Sequence, residues 1–228
     1  MATTDRYRRP SDLPRKVPVF PLRKAILLPR ATLPLNVFEP RYLKMIDDAI
    51  RRDRVIAIVQ PDVAGDEPAM ESPPGKDVRL KRVGCLGRLT AYQELDDGRI
   101  IATLTGIARF RLLDEPATDA PYRLINVDYD PYVIDFSPGY GEDDVDRDGL
   151  LKVLHRYLDA TRLKADWRTI LESTTEFLVN ALSVMSPYGP VEKQALLEAA
   201  TLTQRAEILV ALAEMELASS GSQGGTLQ

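Results

Sequence analysis

Five prolines interrupt one apolar stretch, and they constrain the fold more than any other feature of the sequence. The stretch runs from Val17 to Tyr42 and reads VPVFPLRKAILLPRATLPLNVFEPRY. Its prolines are Pro18, Pro21, Pro29, Pro34 and Pro40. Proline has no backbone N–H, so a sheet tolerates it only at strand starts, edges and bulges. The stretch therefore predicts several short strands and turns in a small, bent, barrel-like sheet.

The clearest strand signal is RIIATLTGIARFRLL, residues 99–113, in which apolar and polar residues alternate. The apolar face carries Ile100, Ala102, Leu104, Gly106, Ala108, Phe110 and Leu112. Period-two alternation predicts a long strand with one face in a core, which leaves Arg109 and Arg111 on the solvated face. Gly106 predicts a bend or bulge, and Asp97–Gly98 predicts a hairpin turn before the strand.

The pattern changes from strand-like to helical near residue 141, so the sequence predicts an α+β protein in two parts. A β-barrel domain is predicted over 14–135, and within it PRYLKMIDDAIRR is predicted to form one helix. A helical bundle is predicted over 147–217, because short amphipathic helices must bury their apolar stripes against one another or the sheet. The polar residues 1–13 and the Gly/Ser-rich residues 218–228 are predicted to be disordered.

Two helix starts in the second part resemble capping boxes, in which Ser or Thr is followed by Glu or Gln three positions later. The pairs are Ser173 with Glu176 and Thr201 with Gln204. We therefore predict helix amino termini at these two positions.

Charge and cysteine content favour a cytoplasmic protein that does not act on nucleic acid. The formal net charge is −4 and the isoelectric point is about 5.2, which argues against a basic nucleic-acid surface. A single cysteine excludes an internal disulfide and suits a reducing compartment. The polar start does not resemble a secretory signal, and no apolar run is long enough to span a bilayer. The sequence predicts no membrane partner.

Motifs for catalysis, cofactors and metals are absent from the sequence, so we predict a protein that is not an enzyme and has no cofactor or metal. Neither a P-loop nor a G-x-S-x-G elbow occurs, and His155 is the only histidine. Cys85 falls on the core phase of a strand and is predicted to be a buried apolar residue. The acidic residues of 142–148 lack calcium-loop spacing and predict a solvated linker.

An ordered series of motifs resembles the amino-terminal, substrate-binding domain of Lon proteases. The series begins with the V-P-V-F-P-L opening at 17–22, L-P-L at 33–35 and F-E-P-R-Y at 38–42. It continues with V-G, D-G-R and R-F-R in the region 83–111, and with P-x-E-K-Q-x-L-L-E at 190–198. The resemblance spans roughly residues 14–216.

The resemblance implies a PUA-like bent barrel followed by a helical bundle, and a role in engaging protein substrates. The catalytic Ser and Lys of the family have no matching positions here. The sequence therefore predicts a non-catalytic module that binds unfolded or extended polypeptides, acting as a chaperone-like binder or as an adaptor for a protease or ATPase partner. The alternative is an RNA-binding PUA-like protein, which rests on fold analogy alone.

Four residues are predicted to form the polypeptide-binding surface, with the acidic, Pro/Gly-rich loop 61–77 as a flexible rim. They are Leu28, Leu35, Phe38 and Arg41. The competing interpretation is that Leu35 and Phe38 belong to the core and that Arg41 braces the barrel. A homo-oligomer is a further possibility, in which the last helix presents Ile208, Leu209 or Leu212 to a partner.

Overall fold

The computed structural model describes residues 6–62, 78–161 and 165–223, with side chains described as far as residue 219. The strands in these ranges are β1 (Lys16–Pro21), β2 (Thr32–Val37), β3 (Val55–Val59), β4 (Val83–Glu94), β5 (Ile100–Asp114) and β6 (Arg123–Asp128). The α-helices are α1 (Pro40–Ile50), α2 (Arg147–Thr161), α3 (Trp167–Glu172), α4 (Thr175–Met185), α5 (Pro190–Glu198) and α6 (Leu202–Gln223). Strands followed by helices confirm the α+β prediction.

Five of the strands close into a ring, and β2 extends it at one side. The sheet order is β2-β5-β4-β3-β1-β6, and an additional pairing joins β6 to β5. Among the described pairs of strands, only β1 and β3 run parallel. The long strand β5 makes this closure possible, because its first half pairs with β2 and its last residues pair with β6.

Two apolar cores cover the two faces of the sheet. Alternate residues of β3 divide between them: Val55, Ala57 and Val59 belong to one core, and Ile56 and Ile58 belong to the other. The first, here called the strand core, is built mainly from strand residues. The second, here called the helix core, also contains residues of α1, α2, α4, α5 and α6. The division into two domains stays a prediction, because the helices and the sheet share the helix core.

A bulge at Gly106 interrupts the ladder between β4 and β5. Leu86 pairs with Ala108 whereas Gly87 pairs with Gly106, so β5 has one additional residue at this point. A Cβ atom on Gly106 would lie 1.9 Å from the carbonyl oxygen of Leu28. Only glycine allows this approach, and the predicted bend or bulge at Gly106 is confirmed.

The bulge exchanges the two faces of β5, because side chains alternate along a strand. Before the bulge, Ala102 and Leu104 lie in the helix core. After it, Ala108 and Phe110 lie in the strand core. Arg109 consequently faces the helices and is only 1% exposed. The prediction that Arg109 lies on a solvated face is therefore wrong.

Both predicted disordered ends are ordered where the structure describes them. Within 1–13, Tyr7 and Leu13 are buried in the strand core. Within 218–228, the helix α6 continues to Gln223. The amino-terminal residues are held because they cover one end of the strand core, which the composition of the segment does not reveal. Among the described residues, no helix is long and apolar enough to cross a membrane.

The acidic segment differs from its prediction as a solvated linker. The segment contains a 3₁₀-helix, Glu142–Asp144, and the Glu142 carboxylate accepts a hydrogen bond from the Glu176 backbone N–H at 2.7 Å.

One of the two predicted capping boxes is absent at its predicted position. Thr174, not Ser173, caps α4. At α6, Thr201 accepts a hydrogen bond from the Gln204 N–H as predicted. The Glu176 side chain is used elsewhere, in a long-range ion pair with Arg30.

We predict that Gly106→Ala destabilises the protein far more than Gly98→Ala. The added methyl group at Gly106 collides with backbone, so the free energy of unfolding should fall by about 3 kcal/mol or more. Gly98 has a φ of +82°, and a methyl group added there would have no atom within 4 Å, so alanine should cost only about 1–2 kcal/mol. Urea unfolding measures both losses, and equal losses would contradict the importance of the bulge.

Candidate functional site

The structure separates the four predicted surface residues. Leu28 and Leu35 are buried in the helix core, so neither can contact a partner from the folded surface. Phe38 is 48% exposed just after β2, which excludes its core interpretation. Arg41 lies 4.7 Å above the Tyr42 ring and donates a hydrogen bond to Glu39. Most of the predicted rim, residues 63–77, lies outside the described residues.

An apolar groove lies among the helices instead. It lies between three parts of the chain: α2, α6, and the carboxyl end of α4 together with the loop that follows it. Its volume is about 190 Å³. Its apolar walls include Leu150, Leu154, Leu158, Leu182, Leu209 and Ala213. Met185 lines the groove and is 78% exposed. We call this feature the apolar groove.

Two tyrosines contribute polar groups to the lining of the apolar groove, and a carboxylate outside the lining lies beside them. Tyr157 and Tyr188 both line it, and Glu216 of α6 lies beside them. Burial and the neighbouring Glu216, which forms a hydrogen bond with Tyr157, raise the pKa of Tyr157. Burial and the neighbouring charges of Tyr157 and Glu216 raise the pKa of Tyr188 to about 12. Both phenols therefore remain protonated near neutral pH.

The three residues of α6 that the sequence suggests for a partner surface are buried or partly buried in the structure. Leu209 is 4% exposed and belongs to the helix core as well as to the groove wall. Ile208 and Leu212 are partly buried. Leu209 is therefore not free to contact a second copy, and oligomerisation stays a prediction.

Lys193 joins α5 to the end of α4 and so supports the groove wall. Its side chain is nearly inaccessible, and Nζ donates hydrogen bonds to the Ser183 and Val184 carbonyls at 2.8 and 2.7 Å. These carbonyls directly precede Met185. Burial lowers the pKa of Lys193 from 10.5 to about 8.

A buried ion pair connects β5 with the helices. The Arg109 guanidinium forms two hydrogen bonds with the Asp135 carboxylate, at 2.8 and 2.9 Å. Its remaining nitrogen, Nη1, donates to the carbonyls of Leu197 and Ala199 at the end of α5. The Tyr132 ring lies 4.7 Å from the guanidinium. One side chain thus fixes the sheet, the 3₁₀-helix Asp130–Phe136 and α5 together.

Further polar side chains connect α4 and α6 with the rest of the protein. The guanidinium of Arg205 donates to Asn180 and to the Leu196 carbonyl, both at 2.8 Å. Burial lowers the pKa of Arg205 to about 9. Asn180 in turn donates to the Pro29 carbonyl at 3.0 Å. Sequence patterning places these residues on helices but gives no sign of these partners.

A second cavity of about 230 Å³ lies between β1 and the end of α1, and its lining contains both charged and apolar side chains. Lys16, Arg52 and Arg54 line it together with Asp48 and Asp53. The Tyr122 hydroxyl donates to Asp48 at 2.9 Å, and Lys44 also pairs with Asp48. Acidic and basic side chains are therefore mixed in this lining, which makes the cavity less selective for anions than a purely basic site.

Residues that often carry chemistry occupy structural positions in this protein. Cys85 is fully buried as predicted, and burial raises the pKa of its thiol. His155 is exposed, pairs with Asp159 at 2.8 Å and stacks on Trp167. In the ranges that the structure describes, no group of three or more His, Cys, Asp or Glu residues could hold a metal ion.

The chain matches a known family of substrate-binding domains. A family model for the ATP-dependent protease La (LON) substrate-binding domain matches residues 16–214. The chain therefore belongs to this family, and the resemblance predicted from the sequence motifs is confirmed. The matched region is the substrate-binding domain, with no match to the ATPase or peptidase modules.

Individual relatives agree with the family match. Lon protease 2 of Myxococcus xanthus is 28% identical over 206 residues, which cover 88% of this chain and 24% of that protein. Lon protease 2 of Sorangium cellulosum is 33% identical over 107 residues, or 45% of this chain and 12% of that protein. The chain thus spans at most about a quarter of the length of these relatives.

Two solved structures share the fold. A Lon N-terminal domain protein from Xanthomonas campestris superposes with a TM-score of 0.58 at 21% identity, covering 86% of this chain and 97% of that one. The N-terminal domain of Lon protease from Mycobacterium avium complex gives 0.60 at 16% identity, covering 87% and 98%. At these identities the likeness concerns the fold alone.

We predict that Asp135→Asn destabilises the protein by about 3–5 kcal/mol, because it leaves the buried Arg109 charge without its counter-ion. The matched control is Asp128→Asn on the neighbouring strand, where the partner Arg111 is 57% exposed. That exposed pair should contribute at most about 1 kcal/mol. Urea unfolding at neutral pH measures both, and a small loss for Asp135→Asn would contradict the proposed joint between sheet and helices.

Lys193 should give the protein a distinctive pH dependence. Its pKa is about 8 in the folded protein and 10.5 in the reference state, so the unfolded chain binds the additional proton between these values. Stability should therefore rise with pH in this window. From pH 7 to 9, the wild type should gain about 1 kcal/mol relative to Lys193→Met in urea unfolding. The exposed control Lys152→Met should keep the wild-type pH slope.

Proposed function

We propose that this protein binds unfolded or extended polypeptides, and that their apolar side chains occupy the apolar groove. The observation that carries the proposal is an apolar, partly open groove in a chain that belongs to a substrate-binding domain family. The binding needs no chemical step, so the protein acts as a non-catalytic module. Cytoplasmic location and the absence of a cofactor remain part of the proposal.

The groove offers a suitable driving force for such binding. Transfer of apolar surface from water is favourable by roughly 25 cal/mol per Å² and does not depend on the direction of the contact. A groove with leucine walls therefore accepts many apolar sequences. The exposed Met185 supports this role, because methionine is flexible and adapts to side chains of different shape.

Finer parts of the sequence prediction also remain proposals. We infer that the closed five-strand ring corresponds to a PUA-like barrel, which ring closure around the strand core supports. Phe38 and Arg41 remain a second candidate surface near the end of β2. The bound polypeptide is either protected, as by a chaperone, or delivered to a separate protease or ATPase.

Substitutions at the two candidate surfaces distinguish them. Met185→Glu places a charge in the groove, so affinity for a fluorescent peptide rich in leucine and phenylalanine should fall by about tenfold. Phe38→Glu should leave the affinity unchanged if the groove is the site. Leu113, which is 48% exposed on β5 and outside the groove, provides the control Leu113→Glu. Fluorescence anisotropy measures the dissociation constants.

The proposal is rejected if the unaltered protein binds no such peptide. A loss confined to Phe38→Glu would move the site to the surface predicted from the sequence. Binding of RNA in a gel shift, lost at high salt, would instead support the alternative function.

A further inference from the structure

We propose that the second cavity, between β1 and the end of α1, binds a phosphate group, either free or on a small molecule. Lys16, Arg52 and Arg54 hold this group. The site is separate from the apolar groove, because the two linings have no residue in common. The inference therefore does not depend on the proposed function.

The three cations of this cavity are accessible to a ligand. Lys16, Arg52 and Arg54 all line the cavity, and all three are exposed. In the part of the chain that the structure describes, no ion pair or side-chain hydrogen bond engages any of them. The adjacent Arg51, by contrast, lies outside the lining and pairs with Asp47 at 3.0 Å. Cations that converge on a concave surface concentrate anions there.

The two carboxylates of the lining oppose an anion to different extents. Asp48 is already engaged, because Lys44 pairs with it at 2.5 Å, the Tyr122 hydroxyl donates to it at 2.9 Å and Arg52 attracts it. Asp53 has no ion pair with another described residue. Once Lys44 balances Asp48, the lining has three cations and one carboxylate, which is an excess of two positive charges. This excess matches a phosphate group, which carries close to two negative charges at neutral pH.

The backbone at Arg54 supports a role for its side chain. Arg54 has a φ of +58°, a left-handed conformation that favours glycine or asparagine after a helix. Its N–H donates to the Ala49 carbonyl at 2.9 Å, and its carbonyl accepts from the Leu89 N–H at 2.8 Å. Asparagine would connect α1 to β4 in the same way at a lower conformational cost. Use of the guanidinium as a ligand accounts for arginine at this position.

The lining matches a phosphate ester better than a free phosphate ion. Guanidinium groups donate paired hydrogen bonds to phosphate oxygens, and lysine adds a point charge. Pro18, Val55 and Leu124 supply apolar surface beside the cations. An apolar cavity of about 150 Å³ is sufficient for benzene. The volume of about 230 Å³ therefore accommodates a phosphate group together with a small organic part.

The experiment titrates the unaltered protein with inorganic phosphate and with phenyl phosphate, with sodium chloride holding the ionic strength constant. Two-dimensional ¹H–¹⁵N NMR should show saturable shifts of the backbone amides of Arg52, Asp53 and Arg54. Phenyl phosphate should bind about 3–10 times more tightly, because its ring covers the apolar part of the lining. Tighter binding of phenyl phosphate indicates an ester as the ligand, and equal binding indicates free phosphate.

Substitutions in the lining should act in opposite directions according to charge. Arg54→Asn should weaken phenyl phosphate binding by about 3–10 times, while the unfolding temperature stays the same or rises. Arg52→Gln should cause a similar loss at a position without a left-handed backbone. Asp53→Asn should tighten binding, because it removes the carboxylate that opposes the anion. The matched control is Arg51→Gln, which removes a cation outside the lining and should change the affinity by less than about twofold.

Three results would overturn the proposal. The first is the absence of saturable shifts, or shifts that sodium chloride reproduces. The second is unchanged affinity in both Arg54→Asn and Arg52→Gln when thermal unfolding verifies that they are folded. The third is weaker binding in Asp53→Asn. Peptide binding in the apolar groove should be the same in all these variants, so the two sites are tested independently.

Discussion

The buried ion pair between Arg109 and Asp135 is the interaction on which the arrangement of sheet and helices depends. Burial of two charges is costly, and it is offset only when hydrogen bonds satisfy the charged groups. Arg109 meets this condition through the carboxylate and two carbonyls of the segment that ends α5. Because these partners come from distant parts of the chain, the pair can form only when the helices are docked on the sheet. It therefore favours one packing of the groove-forming helices over others.

The bulge at Gly106 makes this ion pair possible. Without the additional residue, regular alternation would keep Phe110 on the face of the helix core and would turn Arg109 toward the strand core. With it, the first half of β5 supplies the helix core and the second half supplies the strand core. The close approach of Leu28 to Gly106 then connects the bulge to the loop before β2. One local irregularity thus determines how both cores are filled.

Sequence reasoning reached the fold class, the family and the bulge at Gly106, because proline positions, alternation and glycine are local signals. It missed the burial of Arg109, since the pattern shows that a strand bends but not which later residues change face. It also placed Leu28 and Leu35 on a binding surface, although an apolar residue near a turn has no pattern that separates core from surface. The groove was not predictable for a related reason. The stripes of α2 and α6 are visible in the sequence, but the space left between three helices depends on their relative positions.

The composition of the groove lining determines what kind of selectivity the groove can have. Apolar transfer is non-directional, so leucine walls alone would accept a segment in either orientation and in many registers. The phenol groups of Tyr157 and Tyr188, which line the groove, add directional hydrogen-bonding groups. A bound segment would then be positioned by polar atoms that reach these phenols and retained by its apolar residues. Such a division of roles lets a module accept diverse sequences and still hold each of them in a defined place, which a partner acting on the bound polypeptide requires.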